Sequence, residues 1–390
     1  MNPALDGVLL VDLSTGIAGP YAATLMAEMG ADCIKVESKE GDPSRGLPGF
    51  FIWNRSKQGI AVNLETDEGQ DIIYRLARKA DVLVESFSPM QAKHLGLDYE
   101  TLSKLNPRLI YCAVPLFGEK GPLAEKSGNE GVVAAWSGIM GGQGGLGQPP
   151  VFVTLPLTSY GAAFLTAYGA AAALYVREIS DIAQKVEVSR VAGSLAMQAG
   201  GFLQSENITP VEITRNIQQG VMPVYRLYQC QDEWIMVSCG NQTFWNKLCI
   251  VLDRADLVSD PRFENAPWGI TEVEHRDELT AIMADILSQR PREYWLKLLG
   301  DADVPCAPVS RREEFMEDPQ VQHNRMIVTV DDPHMGKMKQ MGIPLTLVEN
   351  PGRIKSPTPR LGEHTRAVLT ELGYSEEKIS RLRDKGVIRG

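Results

Sequence analysis

Val8-Leu9-Leu10-Val11-Asp12-Leu13 is a short apolar run of the kind a buried parallel strand requires, and the residues that follow it decide the fold. Ser14 to Pro20 reads as a turn, and Pro20 suits the first turn of a helix because its missing N–H has no partner to lose there. Tyr21 to Met29 continues as that helix, with Gly30 as its C-terminal cap. Asp32-Cys33-Ile34-Lys35-Val36-Glu37 is the next strand, which closes a β-α-β unit. The turn holds only Gly16 and Gly19 and no GxGxxG, so a dinucleotide site is not indicated.

Working outward, the alternation repeats. Gly69 to Ala80 reads as a helix, Asp81 to Glu85 as a strand, Tyr99 to Leu105 as a short helix and Leu109 to Val114 as another strand. The expectation is an α/β fold with a large, doubly wound, mostly parallel sheet. Such sheets take ligands beyond the carboxyl ends of their strands. Those ends are Ser14 to Gly19, Ser38 to Arg45, Ser86 to Met90 and Pro115 to Pro122. After a loop-like stretch from Glu206 to Met222, a smaller α+β module follows. Its strands are Tyr225 to Cys230 and Glu233 to Cys239, and its helices Phe244 to Leu252, His275 to Ser288 and Arg292 to Leu299. A Pro/Gly-rich tail, Pro344 to Gly362, leads to helices at Glu363 to Leu372 and near Ser375 to Lys385.

With 44% hydrophobic and 23% charged residues, the 390-residue chain has an ordinary globular composition. Its net charge of −10 argues against a general nucleic-acid binder, which needs a basic face for phosphates. The N-terminus lacks a basic-then-apolar leader, and Ala162 to Val176 is too short and too rich in Ala and Gly for a membrane span. A cytoplasmic location and buried helix packing are the expectations. The six cysteines form no CxxC pair and the five histidines no HExxH, so no metal is expected.

From Gly131 to Val176 the chain carries no Asp, Glu, His, Lys or Arg. A glycine-rich loop, Gly141-Gly142-Gln143-Gly144-Gly145-Leu146-Gly147, sits inside that stretch. We expect a polar strand beginning at Val151 and a small-residue helix from Gly161 to Tyr175. A flexible loop, a strand end and a helix start commonly frame a site, yet this frame holds no acid, base or charged nucleophile.

Many segments in order resemble the family III CoA-transferases, the group of the formyl-CoA:oxalate and carnitine CoA-transferases and the α-methylacyl-CoA racemases. They include Leu5 to Leu13 with Ala18-Gly19-Pro20, Met29 to Glu37 with Gly41-Asp42-Pro43-Ser44-Arg45, and Asn54-Arg55-Ser56-Lys57. Ala80 to Glu85, Asn106 to Tyr111, Phe117-Gly118, Gly121-Pro122 and Ser137 to Met140 follow. Asp260 to Phe263, Val304 to Val309 and Leu361 to Thr365 complete the match. The resemblance implies a large domain from both termini (1–205 and 325–390), a small domain (222–310) and linkers (206–221 and 311–324). It also implies two chains threaded as interlocked rings, and coenzyme A or acyl-CoA bound as substrate. CoA needs cations and backbone N–H groups for its phosphates. Ala18, Arg45, Arg55, Lys57 and Phe87 are the expected contacts, although the three cations alone would read as solvated surface charge.

In the family's transferases an aspartate attacks the thioester and then holds CoA as its own acyl thioester. The pattern Pro-x-x-Asp-Tyr-x-x-Gly corresponds here to Pro156-Leu157-Thr158-Ser159-Tyr160-Gly161-Ala162-Ala163, with Ser159 at the aspartate position. A seryl oxygen can be acylated but cannot hold CoA as a thioester. It would also need a base within about 3 Å. None is near in sequence, although His275 or His364 could come from elsewhere. Glu130 is the nearest carboxylate and matches an acidic family position that is not the nucleophile, so structural hydrogen bonding is its expected role. The racemases' histidine falls at Asn129-Glu130, which disfavours racemisation. Glu-Asn-Phe-Arg-Pro-Gly becomes Glu85-Ser86-Phe87-Ser88-Pro89-Met90, and Thr-Gly-x-Gly-Gln becomes Ser180 to Gln184. The loop of Gly141, Gly142, Gly144 and Gly145 is retained; in the family it closes over the site.

The first expectation is a CoA-transferase subunit that moves CoA between an acyl-CoA donor and a carboxylic acid, lacks its own nucleophile and works with a catalytic paralogue. The benzylsuccinate-type, succinyl-CoA-dependent enzymes are the nearest pattern. A self-sufficient transferase using Glu130 or Ser159, and a non-catalytic acyl-CoA-binding scaffold or regulator, are the alternatives.

Overall fold

The computed structural model describes residues 2–144, 148–203, 205–206 and 217–390. The chain divides into two compact units, one of residues 1–139, 153–203 and 322–390 and one of residues 140–152 and 204–321.

The first unit is built on strands β1 (Leu9–Asp12), β2 (Asp32–Glu37), β3 (Gln58–Val62), β4 (Val82–Glu85), β5 (Ile110–Ala113) and β6 (Lys185–Glu187). All pair in parallel, in the order β3-β2-β1-β4-β5-β6, and the C-terminal strand Ile388–Arg389 adds an antiparallel edge beside β3. Helices α1 (Ala18–Glu28), α2 (Asp67–Lys79), α3 (Tyr99–Leu105), α4 (Glu130–Trp136), α5 (Leu157–Ser180) and α6 (Arg190–Met197) belong to the same unit. Strand alternation explains the two-sided winding. Val11, Ile34 and Leu83 enter one core with Ile72 and Leu76 of α2, while Leu10, Cys33 and Val84 enter the other with Ala23 of α1 and Ala162 and Ala170 of α5.

Two expectations change along α5. No strand forms at 151–156, where Pro149, Pro150 and Pro156 remove ladder donors. The helix instead begins at Leu157, so Ser159 stands in a first helical turn rather than just past a strand. Nor is α5 buried all round. Ala162, Ala163, Ala170 and Ala173 are buried, while Phe164, Tyr168, Tyr175 and Ile179 form an exposed apolar stripe on this chain. The helix ends at Asp181, which adopts a left-handed φ of 58°. Strands β3 and β6 were not anticipated; β6 is three residues long, too short for an alternation pattern to register.

The second unit carries an antiparallel sheet in the order β10-β9-β8-β7, formed by β7 (Gly220–Met222), β8 (Tyr225–Gln229), β9 (Trp234–Ser238) and β10 (Cys306–Pro308). Trp245 and Leu248 of α7 (Gln242–Val251), Leu279 and Met283 of α8 (Val273–Ser288) and Leu299 of α9 (Arg292–Asp301) pack against Ile235 and Val237 of that sheet. Among the described residues, no helix is long and apolar enough to cross a membrane.

Candidate functional site

The strand order reverses between β1 and β4, which places the ligand crevice outside their carboxyl ends. The loops after these strands meet there: the Thr15 N–H donates to Ser86 Oγ at 2.9 Å. Gly16, at φ 78°, donates its N–H to the Asp42 carboxylate at 3.1 and 3.3 Å. Ala18, buried, starts α1, and the Phe87 N–H donates to Glu85 Oε2 at 2.6 Å. Burial pushes the Glu85 carboxyl up to about 8.

Beneath the crevice lies a buried ionic network that sequence reading missed. Asp12 accepts from Lys57 Nζ at 2.9 Å, and Lys35 Nζ stands 3.7 Å from Asp12 and 3.4 Å from Asp42 while donating to the Ser14 carbonyl. Burial opposes ionisation of Asp12, but the charges of Lys35 and Lys57 outweigh it and hold the carboxyl below its ordinary value. For Lys35 burial likewise opposes the charge, and Asp12 with Asp42 wins, raising its pKa. The available signal was Asp12 and Lys35 inside apolar strands and Lys57 just ahead of one.

This network corrects two of the expected CoA contacts. Lys57 is fully buried, and its ammonium also donates to Pro20 O at 2.8 Å, Trp53 O at 3.0 Å and Asn54 Oδ1 at 3.1 Å. Arg55 is equally buried, donating to Glu28 Oε1 at 2.5 Å, Gln340 Oε1 at 3.1 Å and Met341 O at 2.6 Å. Both cations are internal clamps, because they are buried and their nitrogens are directed at protein acceptors. Arg45 is half-buried; its fork grips Glu37 from Nε at 2.8 Å and from Nη2 at 2.5 Å, and its guanidinium lies 4.7 Å over the Phe50 ring.

Glu130 and Ser159 come together although 29 residues separate them. Glu130 is the first residue of α4, behind the Asn129 cap. Its Oε1 accepts from the Thr158 N–H at 3.0 Å. Its Oε2 accepts from Thr158 Oγ1 at 2.5 Å, the Ser159 N–H at 2.9 Å and Ser159 Oγ at 2.6 Å. The N-cap of α5 is Pro156, which gives no side-chain cap. Glu130 therefore serves as a cap from another helix, satisfying orphan N–H groups and opposing the positive helix end. The base within reach of Ser159 is this carboxylate and neither histidine. His364 Nδ1 accepts from the Gly59 N–H at 3.1 Å, and His275 lies in the second unit.

Sequence reading also missed Arg190, the first residue of α6. Its N–H donates to Pro115 O at 3.1 Å in the loop after β5, and its side chain reaches the loop after β1, where a Cβ on Gly16 would lie 3.6 Å from Nη2. The signal was a cation behind a serine cap, Ser189-Arg190, after the strand-like Val186-Glu187-Val188.

In the second unit, Gly141 and Gly142 end a helical turn, Ile139–Gly142, where a Cβ would meet nothing. A Cβ on Gly144 would strike Pro149 O at 2.3 Å. Gly145 lies outside the described residues. A cavity of about 530 Å³ opens at the opposite edge of the sheet, lined by Leu9, Asp32, Gln58, Lys355 and His364 at or near the amino ends of β1 to β3. Its lining includes Lys57 but none of Glu130, Ser159 and Arg190, and doubly wound sheets generally take their ligands at the other edge.

Fold and site define an α/β protein with its ligand crevice at the switch point of a doubly wound sheet. The chain belongs to CoA-transferase family III, whose model matches residues 5–365. It is 32% identical to an acetyl-CoA:oxalate CoA-transferase from Acetobacter aceti, over 96% of this chain and 97% of that protein. It is 30% identical to a succinyl-CoA–D-citramalate CoA-transferase from Chloroflexus aurantiacus, over 98% of each. A CAIB/BAIF family protein from Brucella suis has a solved structure that matches with a TM-score of 0.83 at 29% identity, covering 95% of this chain and 100% of that one.

Proposed function

We propose that this chain is a CoA-transferase subunit that moves CoA between an acyl-CoA donor and a carboxylic acid, without a nucleophile of its own, beside a catalytic paralogue. The observation that carries this reading is Ser159. At the family's aspartate position stands a fully buried hydroxyl that donates to Glu130 at 2.6 Å. An alcohol cannot become the acyl half of a CoA thioester, so the double transfer through one side chain is closed to it. Coenzyme A, or acyl-CoA, is the substrate of this reading, and a succinyl-CoA-dependent reaction of the benzylsuccinate type is its starting point. The exposed stripe of Phe164, Tyr168, Tyr175 and Ile179 supports assembly with a second chain, in an interlocked dimer or heteromer, because large apolar patches mark association surfaces. The lid role of Gly141, Gly142 and Gly144 belongs to the same proposal.

The test is co-expression with a paralogous chain that carries aspartate at the matching position, followed by a CoA-exchange assay from succinyl-CoA. The mixed assembly should be active and this chain alone inactive. Transfer by the isolated chain at ordinary enzyme rates overturns the reading. The second reading rests on the proximity of Glu130, a carboxylate one hydrogen bond from Ser159. If Glu130 carries the thioester, hydroxylamine after acyl-CoA addition should modify it in the isolated chain.

A further inference from the structure

Arg190 is the group that the site leaves unanswered. Its Nε is buried and has no hydrogen-bond partner, and among the described residues no carboxylate stands within ion-pair distance of it. The charge that acts on it is Glu130, whose oxygens are occupied by Thr158 and Ser159. Burial lowers the Arg190 pKa and Glu130 only partly offsets it, so the charged form is held at a cost. A guanidinium whose buried Nε has no partner is unfavourable, and Arg cannot shed its proton to escape. The side chain lies at the carboxyl edge of the sheet, beside Gly16, where any Cβ would approach Nη2 to 3.6 Å. That distance is ordinary contact, so the two groups are neighbours, and it is the left-handed φ of 78° that favours glycine there.

Charge decides which anion fits. Around Gly16 the carboxylates of Asp42, Asp12 and Glu130 balance Lys35, Lys57 and Arg190, so the crevice has no excess of positive charge to offer a diphosphate, and a monoanion fits it better. The planar fork of Arg matches the two oxygens of a carboxylate. We propose that Arg190 is the receptor for a substrate carboxylate bound in the crevice beside Gly16. That carboxylate is either the free acid's own or the distal one of a dicarboxylyl-CoA. The inference rests on the CoA-transferase reading for the identity of the acid, not for the anion site itself.

Calorimetry on the full chain separates the sources. Succinyl-CoA, butyryl-CoA and CoA are titrated into wild type, Arg190→Gln and Arg190→Lys, and butyrate and succinate are titrated with and without CoA present. If the distal carboxylate is held, wild type prefers succinyl-CoA over butyryl-CoA by about tenfold or more, as one charged hydrogen-bonded contact would give, and Arg190→Gln erases the preference. If the free acid is held, the two thioesters bind alike and butyrate weakens about tenfold in Arg190→Gln. Arg190→Lys should retain part of either effect, and matched thermal melts show that the variants fold. The inference is overturned if Arg190→Gln leaves every carboxylate titration unchanged, or if it weakens CoA itself by the same factor, which would assign the arginine to phosphate. Should wild type bind no CoA species at all, the transferase reading falls, while the acids without CoA still report on Arg190.

Discussion

Replacing Ser159 by Ala and Glu130 by Gln asks whether their contact is structural or chemical. Ser159→Ala deletes one charge-assisted hydrogen bond of 2.6 Å and leaves Glu130 with Thr158 Oγ1 and two backbone N–H groups. Losing a buried hydrogen bond to a charged group costs about 2 kcal/mol, with little cavity from one oxygen. Glu130→Gln should cost more. One carboxylate oxygen accepts from the Thr158 N–H and the other from the Ser159 N–H. Either orientation of a glutamine amide therefore turns its NH2 towards a backbone donor. That strands a buried N–H, removes the negative charge from the start of α5 and costs about 3–4 kcal/mol in total. Urea unfolding at constant m-value reads both losses. In the assembled transferase, Ser159→Ala should leave CoA exchange within about twofold of wild type, less than 0.5 kcal/mol of barrier. Glu130→Gln as stable as wild type would refute the capping geometry, and loss of exchange in Ser159→Ala would refute the structural role of the serine.

Three further outcomes follow from other parts of the first unit. Glu85 is buried and its pKa is raised from 4.5 to about 8, so the folded chain keeps a proton that the unfolded chain releases. Its stabilising share is complete below pH 4.5 and is lost as pH rises through about 8. Glu85→Gln should therefore gain roughly 3 kcal/mol on wild type between pH 5 and pH 8 in denaturation curves, and parallel pH profiles would contradict this. Lys57→Met should cost about 3–5 kcal/mol by leaving Asp12 short of a partner, measured by the denaturation midpoint; a neutral result means the ammonium is not the clamp described. Gly193→Ala places a Cβ 2.4 Å from Thr158 O and from Ala162 N, so α5 and α6 must separate. A loss of about 1–3 kcal/mol is expected from thermal melts, and an unchanged melting temperature would show that the helices are not in contact there.

Much of the fold was legible because it is written locally. Alternating apolar runs and helix caps placed Tyr99–Leu105 and Asp32–Glu37 at their observed bounds, since the pattern reports a backbone's own period. The site was less legible. Arg55 and Lys57 carry the same side chains as surface cations, and only burial, with a partner such as Gln340 that lies 285 residues away, makes them internal clamps. The candidate base for Ser159 was sought among histidines, whereas the chain folds Glu130 onto it as a helix cap.

By itself, the sequence of this chain determined the β-α-β alternation, the family III ancestry and the presence of serine where an aspartate is expected. These depend on residue identity and short spacing alone. Tertiary structure decided what that serine touches, which cations are spent on internal partners and that the Arg190 Nε is left without one among the described residues. That nitrogen is left over because its surroundings are set by the meeting of loops after β1 and β5 with α4, and no local pattern records which ion pairs a fold will leave open.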